Sequence, residues 1–210
     1  MSPPAVPVVD YGMGNRRSVE KALEHVGARA RITRDHVELR AADGLVVPGV
    51  GAFPKAMANL RELGLDELIA EQLGAGAPVL GICLGMQVLF ESSVELGGAA
   101  GLGLLPGTVS ELDPGEGKLP HIGWNRVRFR RESSLTTGLP AACAFFHVHS
   151  FVPRPTDPAD VLGESEYGEP FVSAVDRDPV FGVQFHPEKS STHGLELLRN
   201  FAAICSRVRA

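Results

Sequence analysis

The chain has 210 residues, of which 44% are hydrophobic and 21% charged, and a formal net charge of -5. That length suits one domain able to bury roughly 70% of its unfolded surface without staples. The acidic balance excludes an ordinary nucleic-acid binder, and the longest Arg-rich stretch, residues 126–131, alternates Arg126, Arg128 and Arg130 with Val127 and Phe129, as a strand with one wet face does.

Residues 6–9 read as a buried strand that ends at Asp10-Tyr11-Gly12. From Asn15 the period changes. Val19, Ala22, Leu23 and Val26 recur at helical spacing, with Asn15 placed to cap the helix and Gly27 to end it. Residues 30–33 and 45–47 are further short strands, the second stopped by Pro48-Gly49-Val50-Gly51. Residues 53–73 carry helical spacing throughout. Residues 78–82 form a fourth strand running straight into Cys83, and 84–91 read as a helix. Strands alternating with helices predict βαβ units and a parallel sheet. Ligands in such sheets sit at the carboxyl ends of the strands. Three of those ends carry Gly-rich loops here: 10–14, 48–51 and 81–85.

After Gly97 the character changes. Residues 108–112, 125–130, 143–148, 171–175 and 180–185 read as strands joined by tight turns, which suggests antiparallel additions to the sheet. An amphipathic helix over 195–208 closes the chain. No repeat, low-complexity segment or linker interrupts it, so residues 1–210 are read as one domain. Three cysteines, Cys83, Cys143 and Cys205, at wide spacing form neither a disulfide framework nor a zinc site and point to a reducing compartment. With no signal-peptide pattern and no run of roughly 18 apolar residues, the expectation is a cytoplasmic protein that does not enter a membrane.

Gly81-Ile82-Cys83-Leu84-Gly85 joins an apolar strand to a helix. This is the pattern of a nucleophile elbow with Cys in place of Ser, in which the flanking glycines permit a sharp turn. A helix N-terminus there favours thiolate. Among seven histidines, His186 ends an apolar strand and has Glu188 two positions on, with Pro187 stiffening the turn. Cys83, His186 and Glu188 thus read as nucleophile, base and orienter. Acyl transfer also needs donors for the oxyanion. The backbone N–H groups of Gly49, Val50, Gly51 and Leu84 could supply them; a plain tight turn is the alternative reading of 48–51. His25, His36 and His193 read as surface or helix-face residues, and Cys143 and Cys205 as packing residues. Neither His121 nor His149 is given a catalytic role. No metal site or cofactor is expected.

Residues 81–87 (Gly-Ile-Cys-Leu-Gly-Met-Gln) and 182–191 (Gly-Val-Gln-Phe-His-Pro-Glu-Lys-Ser-Ser) resemble the two signatures of class I, triad-type glutamine amidotransferases. Asp10-Tyr11-Gly12-Met13-Gly14-Asn15, the 48–51 turn, Leu119-Pro120-His121-Ile122-Gly123-Trp124-Asn125 and Val148-His149-Ser150-Phe151 narrow the resemblance to the branch serving imidazole glycerol phosphate synthesis in histidine biosynthesis. The resemblance implies a flavodoxin-like α/β fold and hydrolysis of glutamine through a Cys83 thioester. It implies that Gln87, Glu95, Ser150 and Phe151 hold the glutamine. It also implies that the 49–51 strand rearranges to become competent. Departures are Phe146-His147, where many relatives carry Tyr-Phe, Phe151 in place of a frequent Tyr, and Arg16 in place of an apolar residue.

The glutaminase pattern uses the whole chain, leaving no second domain to consume ammonia. A partner must receive it. The resemblance implies a (β/α)8-barrel cyclase in a heterodimer with ammonia channelling, and places Asn15, Trp124 and Lys189 near that partner. Rival readings are a glutaminase for another synthase, a free-standing cysteine hydrolase of similar fold, and an inactive scaffold.

Overall fold

The computed structural model describes residues 2–207. Four short strands of the N-terminal half, β1 (Val8–Val9), β2 (Ile32–Thr33), β3 (Leu45–Val47) and β4 (Val79–Ile82), pair in parallel. Between them lie α1 (Arg16–His25), α2 (His36–Arg40), α3 (Phe53–Glu62) and α4 (Leu65–Gly74). After β4 comes one turn of helix, α5 (Leu84–Gln87), then β5 (Phe90–Ser93), β6 (Ala99–Ala100) and β7 (Leu105–Glu111). The later strands are β8 (His121–Phe129), β9 (Ala142–His149), β10 (Phe151–Pro155), β11 (Val161–Tyr167), β12 (Glu169–Arg177) and β13 (Val180–Val183). Helix α6 (Ser191–Arg207) follows.

The main sheet has nine strands in the order β2-β1-β3-β4-β13-β12-β11-β8-β9. Its parallel part, β2-β1-β3-β4-β13, has the doubly wound order of flavodoxin-like sheets. The strands beyond β13 are antiparallel. The expected mixed α/β fold with antiparallel additions is therefore observed. A second sheet, β10-β7-β5-β6, was not foreseen.

The helices close both faces of the main sheet. Val19 and Leu23 of α1 pack with Leu197, Leu198 and Phe201 of α6 on one side. Phe53, Met57 and Leu60 of α3 pack with Leu65 and Leu68 of α4 on the other. Apolar strands are buried on both faces, as parallel sheets require. Among the described residues, no helix is long and apolar enough to cross a membrane.

Several elements depart from the sequence reading. The helix expected over 53–73 breaks at Gly64, whose φ of 61° is left-handed, and a glycine adopts that without steric cost. The helix expected over 84–91 lasts one turn, because Phe90 to Ser93 pair with β7 instead. Helix α2 was missed, although the Asp35 side chain caps it by accepting from Val37 N and Glu38 N. Strands β10 and β11 were missed as well. The Arg126–Arg130 alternation does face solvent on its Arg side, while Val127 is buried. Of the closing helix, Val208 lies outside the described residues.

Candidate active site

Strands β4 and β13 lie side by side with Gly81 opposite Gly182 and Ile82 opposite Val183. Cys83 therefore follows directly on the paired end of β4, and His186 comes three residues after the paired end of β13. The Cys83 N–H is still held by the Val183 carbonyl at 2.7 Å. Cys83 then turns sharply, at φ 55° and ψ -111°, before α5 begins. Such a left-handed conformation costs a non-glycine residue about 1–3 kcal/mol and collects at functional sites. Both glycines of the elbow are explained. A Cβ on Gly81 would come within 2.6 Å of the Gly85 carbonyl oxygen, and one on Gly85 would run into the Val47 carbonyl.

His186 is held by several contacts. Phe185, just before it, is fully buried and stacks on Phe145 with ring centroids 3.9 Å apart. The His186 N–H donates to the Phe146 carbonyl at 2.8 Å, and its carbonyl accepts from the Ser190 hydroxyl at 2.6 Å. Its Nδ1 lies 2.9 Å from Glu188 Oε1. Burial works to lower the His186 pKa, but Cys83 and Glu188 outweigh it and push the value up to about 10. Cys83 thus acts on the His186 imidazole and Glu188 lies at its Nδ1, while His186 Nε2 is buried without a hydrogen-bond partner.

Asn15 joins these residues. Its side-chain amide donates to Glu188 Oε1 at 2.6 Å and lies 3.3 Å from His186 Nδ1. It does not cap α1, contrary to the sequence reading; its φ is 68°, and its side chain makes no cap hydrogen bond. Gln184 was also missed. Its amide donates to Cys83 Sγ at 3.6 Å, and its carbonyl accepts from Gln87 Nε2 at 3.1 Å. A buried glutamine inside an apolar strand was the available signal.

Beside Cys83 opens a cavity of about 240 Å³, lined by Val50, Gln87, Glu95, Ser150 and Phe151 among others. Gln87 Nε2 also donates to the Phe151 carbonyl at 2.9 Å. Glu95 Oε2 accepts the Phe53 N–H at 2.8 Å. A larger surface cleft of about 870 Å³ lies around residues 129–141, but it has no cysteine or histidine in its walls. The chemistry points to the smaller cavity.

Gly49, Val50 and Gly51 border the same elbow. The Leu84 N–H, the donor next to the nucleophile, is directed at the Gly49 carbonyl at 3.4 Å. Of the residues expected near a partner, Trp124 is 56% exposed and meets Phe146 edge-on, and Lys189 is exposed. Asn15 instead reaches inward.

Three more histidines cluster at the cavity, His149 in its wall and His121 and His147 packed against it. His121 Nδ1 lies 3.1 Å from His149 Nε2, and His149 Nδ1 lies 3.2 Å from the Phe151 carbonyl. His147 Nε2 bonds the Ser173 hydroxyl at 2.8 Å. Burial lowers all three pKa values, that of His147 to about 3. Among the described residues, no group of three or more His, Cys, Asp or Glu side chains is arranged to hold a metal. Burial also pushes the Cys143 and Cys205 thiols up, to about 11 and about 12. Both fit packing roles.

Comparison with known proteins places this geometry. The family model for class-I glutamine amidotransferases matches residues 7–205. The imidazole glycerol phosphate synthase subunit HisH of Moorella thermoacetica is 50% identical over 199 residues, covering 95% of this chain and 94% of that protein. HisH of Aquifex aeolicus is 50% identical over 195 residues, covering 92% and 94%. Among solved structures, PurLQS from Thermotoga maritima matches with a TM-score of 0.77 at 19% identity, covering 96% of this chain and 98% of that one. A crystal structure described as a glutamine amidotransferase matches at 0.74 and 23% identity, covering 96% and 99%. The two structural likenesses speak for the fold alone. A family match spanning nearly the whole chain, and relatives at half identity over equal length, carry the assignment: the chain belongs to the class-I glutamine amidotransferase family.

Proposed function

We propose that this chain is the glutaminase subunit of an imidazole glycerol phosphate synthase, and that Cys83, His186 and Glu188 are its catalytic triad. The observation that carries the triad is the pairing of β4 with β13, from whose neighbouring C-terminal ends Cys83 and His186 follow, with Glu188 Oε1 2.9 Å from the imidazole. The synthase follows from the HisH relatives.

The chemistry follows from the site. With the Cys83 proton already on His186, Sγ attacks the side-chain amide carbon of glutamine held in the cavity beside it. The carbonyl oxygen becomes an oxyanion that needs N–H donors from Val50 and Leu84. Collapse breaks the C–N bond, His186 returns the proton to the leaving nitrogen, and ammonia departs. Water, deprotonated by His186, then hydrolyses the glutamyl thioester to glutamate. Gln87, Glu95, Ser150 and Phe151 are the binding wall. No cofactor enters these steps.

Residues 1–210 act as one catalytic domain in this reading. Ammonia passes to a cyclase subunit, a (β/α)8 barrel bound as a heterodimer in the cytoplasm. Exposed Trp124 and Lys189 support a docking face at the carboxyl end of the sheet. The test is glutamate and ammonia release by the chain alone, then with the cyclase and its nucleotide ligand, with Cys83→Ala as the blank. A large Cys83-dependent rise on adding the liganded cyclase is expected. Full activity of the isolated chain, indifferent to the cyclase, would overturn the synthase assignment.

A further inference from the structure

Gly49 lies in a slot. A Cβ built on it would run into the Tyr11 hydroxyl oxygen and stand 3.2 Å from Leu84 Cβ. Tyr11 is 1% exposed and donates its O–H to the Pro48 carbonyl. Burial, and then the nearby Cys83, raise its pKa far above the usual phenol value, so that O–H stays a donor.

On the other side of Gly49, its carbonyl takes the Leu84 N–H. An oxyanion beside Cys83 needs that N–H back. Releasing it means turning the Gly49–Val50 peptide. The same turn carries the Val50 N–H to the side the carbonyl leaves. Gly51, at φ +126°, absorbs the rotation beyond Val50 without a Cβ penalty. Tyr11 and Leu84 both crowd the Gly49 Cα, leaving no room there even for a Cβ. Upstream, proline holds its own φ, and its carbonyl is tied by Tyr11.

We propose that Tyr11 is a positioning residue for glutamine hydrolysis: its hydroxyl anchors the Pro48–Gly49 peptide, so that the Gly49–Val50 peptide turns in place and aims the Val50 N–H at the oxyanion. This rests on the glutaminase reading above. Tyr11 touches neither substrate nor reacting atoms. It sets the pivot about which a donor moves, and a donor misplaced by a fraction of an ångström loses much of its effect.

Tyr11→Phe keeps the ring and removes the O–H. In the complex with liganded cyclase, kcat should fall about tenfold, less than the loss of a whole oxyanion donor. KM for glutamine should stay within about twofold, since the lost interaction belongs to the transition state. Glutamate γ-semialdehyde is the second probe. Cys83 Sγ adds to its aldehyde carbon and the thiol proton passes to the carbonyl oxygen, giving a hemithioacetal whose oxygen needs the same donors. Its affinity should weaken by a similar factor, while alkylation of Cys83 by iodoacetamide is unchanged. Tyr11→para-aminophenylalanine restores a donor and should recover turnover. Unaltered kcat and aldehyde affinity in Tyr11→Phe would overturn the role of Tyr11. So would an equal fall in alkylation, which means general damage to the site, or a folded para-aminophenylalanine variant that is not rescued. If the wild-type complex releases no ammonia from glutamine, the glutaminase reading fails first and this role fails with it.

Discussion

Asn15 donates to Glu188 across 2.6 Å, although the two are 173 residues apart in sequence. The oxygen it reaches is the one that faces His186, and the other carboxylate oxygen is buried without a partner. The loop that opens α1 thus holds the Glu188 carboxylate in place.

Removing that amide should slow turnover without weakening glutamine binding. Asn15→Gly is the clean variant, because glycine accepts the φ of 68° found there. A hydrogen bond to a charged group contributes about 1.5–3 kcal/mol. A fall in kcat of about tenfold or more is expected, with KM within about twofold, and equally with and without the cyclase. A loss seen only in the presence of the cyclase would return Asn15 to the partner surface alone.

Cys83 trades stability for geometry. Both Cys83→Ala and Cys83→Gly should be inactive. The glycine variant should nonetheless be more stable than the alanine one by about 1 kcal/mol, since only glycine is at ease at φ 55°. Urea denaturation of the pair measures the difference. The opposite order would mean that the elbow carries no strain.

The buried histidines set an acid limit on stability. His147 has a folded-state pKa of about 3, lowered first by burial and then by His121. Unfolded, it binds a proton near pH 6.5. Its contribution is therefore full above about 6.5 and is lost as pH falls towards about 3, at up to about 1.4 kcal/mol per pH unit. His186 runs the other way. Its stabilising share is complete below about 6.5 and is lost as pH rises through about 10. His147→Gln should flatten the acid limb of unfolding free energy between pH 6 and 4 by roughly one proton's slope. An identical acid limb would show that His147 does not titrate on unfolding.

Lys189 sits on the exposed side of the turn that carries Glu188. Lys189→Ala should leave the fold intact and weaken cyclase binding or cyclase stimulation, by about 1 kcal/mol or less if the charge stays solvated in the complex. Unchanged affinity together with unchanged stimulation rules it out as an interface residue.

Much of this site could be read from the chain. The apolar run into Gly81-Ile82-Cys83-Leu84-Gly85 and the spacing of His186 and Glu188 are local patterns with local causes. What escaped depends on pairs distant in sequence. Asn15 before an amphipathic helix reads as a cap, and nothing near it says that its amide is drawn to Glu188. The Gln184 contacts with Cys83 and Gln87 cross the sheet in the same way. The helix expected over 84–91 failed for the same reason. Its apolar residues suit either period, and the β7 strand decides. The break at Gly64 and the Asp35 cap of α2 were local signals passed over.

The place of β13 has a consequence for how the protein is made. It is the central strand between β4 and β12, yet among the described residues it comes last of the strands in chain order. Until it inserts, β4 presents an open edge and Cys83 has no imidazole beside it. A nascent or truncated chain can therefore carry Cys83 without His186 beside it. The two come together only when synthesis has passed Glu188 and the sheet has closed around β13.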